Sequence, residues 1–236
     1  MQLLANVLID GLAYGMVLFI IAAGLSVTLG LMRFVNLSHG AFAMIGGYAA
    51  ALLTREAQWS FWLAVPTAVL LTGLLGAGLE ALVLRHLYHR SELSQVLFTI
   101  GLTFFLIATV NALAGPQVQM ITLPPLLAQS VDLGFRTLPA QRLFVIAAGV
   151  IVALAAAWVV TRTRFGVWLR AAVDHAETAA TLGVPVRLVQ CSCFAVGAAL
   201  AALGGVLGAE LMPLEPYYAL KYLVLVLVVV AVGGMG

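Results

Sequence analysis

The sequence predicts an all-α, polytopic transmembrane bundle with a short second span and a cytoplasmic helix between its fifth and sixth spans. Three observations carry this reading. The 236 residues are 64% hydrophobic and 8% charged, whereas soluble domains are about a quarter charged. Several continuous apolar runs reach the roughly 20 residues a helix needs to cross the hydrocarbon core. The arginines gather in alternate loops.

Spans are expected at about residues 8–31, 37–54, 61–84, 94–114, 142–161 and 188–211, with a further apolar run from Tyr217. Continuous Leu-, Ala-, Val- and Gly-rich runs exclude a membrane barrel, whose strands alternate over segments of about ten residues. The first run has no basic residue ahead of it and leads directly into more membrane sequence, so it reads as an uncleaved span rather than a signal peptide. The second run is short and interrupted by Gly40, Gly46 and Gly47. It reads as a helix that enters the bilayer partway or is broken.

Arg33, Arg85, Arg90, Arg162, Arg164, Arg170 and Arg187 fall in one set of loops, and Arg55, Arg136, Arg142 and Lys221 in the other. The positive-inside rule then places the first set in the cytoplasm and the N-terminus outside. The outer loop at 115–141 holds four prolines and the apolar stretch ITLPPLLAQSVDLG. It lies on the membrane, docks on the bundle, or simply connects. Gly11 with Gly15, and Gly204 with Gly208, have the small-xxx-small spacing that lets helices approach closely in lipid. Cys191 and Cys193 point to different faces of one helix and read as small buried hydrophobes.

The inner segment 162–187 is too long for a turn. Helical spacing runs from Trp168 to Leu182, with Asp174 and Glu177 on a solvated face. Gly183 ends the helix and Pro185 follows. Two readings are open. One is an interfacial helix anchored by Trp168 among arginines near lipid headgroups; the other is a docking helix for a cytoplasmic partner.

In the stretch RFVNLSHGAFAMIGGY (33–48), Asn36, Ser38 and His39 stand at the mouth of an apolar helix. Polar groups in a bilayer are costly unless satisfied. Asn36 or Ser38 caps the helix that begins near residues 37–40. Alternatively, a helix starting within the membrane, with Asn36, Ser38, His39 and Gly40 at its positive end, faces a translocation pathway near its cytoplasmic mouth. Thr99, Thr103 and Asn111 either line such a path or bond across helices. Glu80, about one turn from Arg85, reads as half of an ion pair. No catalytic set emerges. His86 and His89 lack an HExxH context, Ser38 and His39 are adjacent and do not face each other, and no phosphate-binding loop ends in Lys-Ser or Lys-Thr. No metal, cofactor or nucleic-acid partner is expected.

Two motifs carry a resemblance. AETAATLGV (176–184) resembles the Glu-Ala-Ala…Gly loop of importer ABC permeases; Glu177, Ala179 and Gly183 fit, with Thr178 in place of the first Ala. FGVWLRAAVDHAETAATLGVPVRLVQ and GLSVTLGLMRFVNLSHGAFAMIGGYAAA resemble the corresponding segments of the branched-chain amino-acid (LIV-type) permeases, and the likeness covers nearly the whole chain. The resemblance implies one transmembrane permease domain over 1–236 in a bacterial-type inner membrane. It implies a coupling helix seated on cytoplasmic ABC ATPase subunits, with Asp174, Glu177, Ala179, Ala180 and Gly183 as coupling residues. Glu177 would pair with a base on the ATPase or cap its own helix. A second permease chain, identical or homologous, and an extracytoplasmic substrate-binding protein complete the assembly. Substrates in the wider family include branched-chain and other amino acids, amides and urea. The rival class is a standalone channel or secondary transporter, which would need a coupling carboxylate near the midplane. Relatives continue beyond a turn like VVVAVGGMG, so the C-terminus at Gly236 is expected to be truncated.

Overall fold

The computed structural model describes residues 2–32, 34, 36–88, 90–132 and 137–233, with the backbone alone at 2–6, 132 and 137. Arg33, His89, Arg136 and Gly236 lie outside the described residues, and with them the His86–His89 pairing. The described chain is helical nearly throughout, as predicted. Its helices are α1 (Gln2–Met32), α2 (His39–Arg55), α3 (Phe61–Leu82), α4 (Glu92–Ala114), α5 (Pro125–Ala128), α6 (Ala140–Arg162), α7 (Arg164–Thr181), α8 (Val186–Leu207) and α9 (Tyr218–Gly233). A 3₁₀ turn, Leu84–Leu87, follows α3. Strands β1 (Ser130–Asp132) and β2 (Thr137–Pro139) pair antiparallel.

Five of these helices, α1, α3, α4, α6 and α8, are long and apolar enough to cross a membrane. The 17 residues of α2 make about 25 Å of helix, less than the roughly 30 Å hydrocarbon core. Twelve of them are buried, and α2 sits inside the bundle rather than at its rim.

Helix α8 is the centre of the packing and lies against α1, α2 and α3. Its residues here are Gly and Ala, because the neighbouring backbones leave no room for more. A Cβ on Gly197 would stand 2.8 Å from the Gly24 carbonyl oxygen of α1. One on Gly205 would overlap the Ala43 carbonyl of α2, and one on Gly46 would overlap Ala202. Such close approach is how helices gain dispersion contact where lipid removes the hydrophobic drive between them. Large side chains fill the spaces beside the seam; Phe42 meets Phe194 edge-on at 5.8 Å.

Three expectations need correction. Helix α8 stops at Leu207 rather than near 211, because Leu211 and Met212 both donate to the Gly208 carbonyl and form a turn. Helix α7 begins at Arg164, four residues before the expected start, because the Thr163 hydroxyl accepts from Gly166 N and caps it. It then breaks at His175, which has non-helical backbone angles (φ −149°, ψ 91°). Of the readings open for the outer loop, docking on the bundle is the one that its described residues, 115–132 and 137–139, adopt. Gln119 N donates to Leu214 O at 2.9 Å, Arg55 donates to Gln119 Oε1 at 2.7 Å, and Ile121, Leu127 and Leu138 are buried.

The seam gives a direct test. Gly205→Ala drives a methyl group into the Ala43 carbonyl and is expected to cost about 1–3 kcal/mol or more, read as a lower thermal midpoint in detergent. Gly101→Ala, where a Cβ meets nothing within 4 Å, is expected to leave the midpoint unchanged or raise it.

Candidate functional site

Between α1 and α2, the described residues Phe34, Asn36, Leu37 and Ser38 lie along the bundle before the second helix starts at His39. Phe34 packs edge-on against Tyr88 at 5.5 Å, just past the 3₁₀ turn at the end of the bundle that carries α7. Three residues later the Leu37 carbonyl accepts from the Thr103 hydroxyl at 3.3 Å, and Thr103 is the central residue of α4. His39 Nε2 donates to the Ile21 carbonyl at 2.9 Å. Ile21 lies eleven residues before the end of α1, or about 16 Å along its axis. Two independent bonds thus set the N-terminus of α2 level with the middle of two spanning helices. The sequence places this start near the cytoplasmic mouth; the bonds to Ile21 and Thr103 instead draw it to the middle of α1 and α4.

The expected cap does not form. Asn36 Oδ1 accepts from both Ser38 N at 3.0 Å and Ser38 Oγ at 2.6 Å. The Ser38 side chain is therefore turned back onto Asn36 and makes no capping bond to α2. Asn, Asp and Ser side chains readily close such local turns. Asn36, Ser38 and His39 are each 1% exposed or less. Asn36 Nδ2 has no partner among the described residues. His39 is a structural tie between α1 and α2. Gly40 allows the close meeting of two helix N-termini, since a Cβ there would overlap the carbonyl of Ala219 in the first turn of α9.

Thr99 bonds back to Gln95 O at 3.0 Å, so its hydroxyl serves its own helix. Asn111 leaves a buried Oδ1 unpartnered. The sequence does not single out Gln95 Oε1 or the Tyr48 and Tyr218 hydroxyls, which are likewise buried without a partner among the described residues. Both tyrosines sit in apolar runs, and only their hydroxyls distinguish them from packing aromatics.

At the α7 end, the Glu80 carboxylate is 1% exposed and pairs with Arg85 at 3.0 Å, the ion pair expected from their spacing. Tyr88 also donates to it at 3.2 Å. Burial, with the Glu80 charge beside it, pushes the Tyr88 phenol above its ordinary range, so it remains a donor at neutral pH. Helix α7 seats Leu169 and Ala172 against Leu31, Val189 and Cys193. Its break at His175 opens a groove of about 430 Å³ bordered by Tyr88, Asp174, Glu177 and Gln190. Asp174, Glu177 and Ala180 are exposed, whereas Ala179 is turned inward and buried. Gly183, at φ +87°, donates to Ala180 O, and Val184 donates to Ala179 O. This is the glycine exit the sequence predicts.

A model of the family described as branched-chain amino acid transport system / permease component matches residues 7–236. The high-affinity branched-chain amino acid transport system permease protein LivH of Salmonella typhimurium is 26% identical over 249 residues, covering 96% of this chain and 78% of that one. LivH of Escherichia coli K12 is 24% identical over 248 residues, with the same coverage. BraD of Pseudomonas aeruginosa is 25% identical over 213 residues, covering 85% and 69%. No solved structure matches the chain.

The Glu80 cluster predicts a stability effect. Glu80→Ala strands the Tyr88 hydroxyl and frees the α3–α4 connection. It is expected to lower stability by about 1–3 kcal/mol in detergent unfolding, with Glu80→Gln closer to wild type because it still accepts from Tyr88.

Proposed function

From the premise that the chain belongs to the permease-component family of branched-chain amino acid transport systems, we propose that it is the membrane-spanning subunit of an ABC importer. It carries branched-chain or related amino acids, and extends in this reading to amides or urea. An extracytoplasmic binding protein delivers substrate, a second permease chain completes the pathway, and separate cytoplasmic ATPase subunits supply the energy. In this orientation the N-terminus is outside, and α7 and the 162–187 segment face the cytoplasm.

The observation that carries the proposal is the start of α2 at mid-span. A helix N-terminus holds a partial positive charge, and transporters use such ends at the bilayer midplane to receive anionic substrate groups. In this reading Asn36, Ser38, His39 and Gly40 form the floor of the route and the free Nδ2 of Asn36 is the donor a carboxylate would meet. His39 holds the floor in place through Ile21. Asn111, with its unpartnered oxygen, lines the route further on, and Thr99 supports the helix beside it.

The coupling role of α7 is supported by its form. Asp174 and Glu177 are exposed beside the groove at the break, and the short piece from Ala176 to Thr181 is held by a glycine exit. In this reading Asp174 and Glu177 meet basic residues of the ATPase, Ala180 lies at the contact, and Ala179 and Gly183 hold the piece in its seat.

Reconstitution tests the assignment. The chain is expected to co-purify with an ATPase whose turnover rises when loaded binding protein is added. Uptake without ATP by the chain alone in liposomes would instead make it a channel or secondary transporter. Asp174→Lys with Glu177→Lys is expected to insert normally and to lose at least tenfold of both uptake and ATPase stimulation. Asn36→Ala is expected to lower uptake several-fold while ATPase association is retained; wild-type uptake would remove Asn36 from the route.

A further inference from the structure

Helices α6 and α8 do not close on each other. Both pack on α1, and α7 crosses beneath them. Between them lies an apolar cleft of about 220 Å³ walled by Val27, Val152, Ala156, Val196 and Cys193, with Leu169 of α7 in its floor. A second groove, about 340 Å³, continues past Val27 and Leu169 and opens beside Arg170 and Asp174. The outer face of α6 is apolar and open, with Ile151, Leu154 and Trp158 each more than 60% exposed. In a spanning helix that face meets acyl chains.

The α6–α7 corner beside the cleft is basic. Arg162, Arg164 and Arg170 are all exposed around the α6–α7 corner, against the single carboxylate Asp174. Arg170 reaches back to donate to the Val160 carbonyl at the end of α6, which holds its guanidinium over this corner. The corner itself is tight, since a Cβ on Gly166 would overlap the Val159 and Val160 carbonyls. Trp158 and Trp168 flank it, 62% and 37% exposed, and tryptophan favours the level of the headgroups.

An apolar slot that ends at Val160 and Phe165, beside a corner that carries three exposed arginines, has the chemistry of one ligand. We propose that the α6–α8 cleft binds a single anionic phospholipid, with one acyl chain between Val152 and Val196 and its phosphate on Arg164 and Arg170. Arginine suits this role because its planar donor fork matches phosphate. The bound lipid fills the gap that α6 and α8 leave and steadies the corner from which α7 departs. The inference depends on membrane embedding and not on the importer reading.

Native mass spectrometry of the full chain released from nanodiscs tests it, with phosphatidylglycerol and phosphatidylcholine supplied in equal amounts. Wild type is expected to retain one phosphatidylglycerol at least fivefold over phosphatidylcholine. Arg164→Gln with Arg170→Gln is expected to abolish that preference while the chain remains folded by circular dichroism. Ala156→Phe, which fills the slot, is expected to lower retention of both lipids. Arg187→Gln, on α8 away from the cleft, is expected to change nothing. Equal retention of the two lipids by wild type overturns the proposal. So does unchanged retention in Ala156→Phe, the result expected if a helix of another chain occupies the cleft.

Discussion

The fold depends on how closely α1 and α2 approach α8. Their backbones meet at Gly24–Gly197 and Ala43–Gly205, so the centre of the bundle is made of peptide planes and methyl groups. In lipid no hydrophobic gain separates a leucine facing a neighbour from one facing an acyl chain, and packing density decides which helices associate. A seam of glycine and alanine gives the largest contact where backbones can touch. It also fixes register, because each small residue has one facing backbone that it alone can accept.

That seam makes room for the unusual element. Helix α2 is too short to span by length and starts at mid-depth with buried polar groups on its approach. Exposed to lipid, its free backbone and the Asn36–Ser38 turn would be costly; inside protein they are tolerated. The glycines of α2 allow it to sit among α8, α9 and the 208–217 segment. Burial of the helix and polarity at its start are thus two consequences of one packing arrangement. The proposed pathway occupies the polar end that this arrangement leaves.

The sequence made the spanning helices legible because an apolar run of 20 residues has one stable form in a bilayer. The shortness of α2 and the glycine exit at Gly183 were legible for equally local reasons. The level of Leu37 and His39 was not legible, since the bonds from Thr103 and His39 that set it join residues 66 and 18 positions apart, and the sequence alone places the start near the cytoplasmic mouth. The break at His175 was not legible: no proline or glycine marks it, and the surrounding residues favour helix. Nor were Tyr48 and Tyr218, because an aromatic residue in an apolar run gives no sign of whether its hydroxyl is satisfied. Ala179 lies seven residues after Ala172, about two full helical turns on, and so keeps to the same buried face while Ala180 turns outward.

Whether a floor exists inside the bundle turns on the depth at which α2 begins. It can be measured by disulfide cross-linking in native membranes, with Cys191 and Cys193 replaced by alanine and single cysteines placed at Leu37 and at successive positions of α4. The account predicts a strong cross-link from position 37 to position 103, at the middle of α4, and little to position 95 near its start. A maximum at position 95 would put the start of α2 at the surface, and the account of a mid-membrane floor would be wrong.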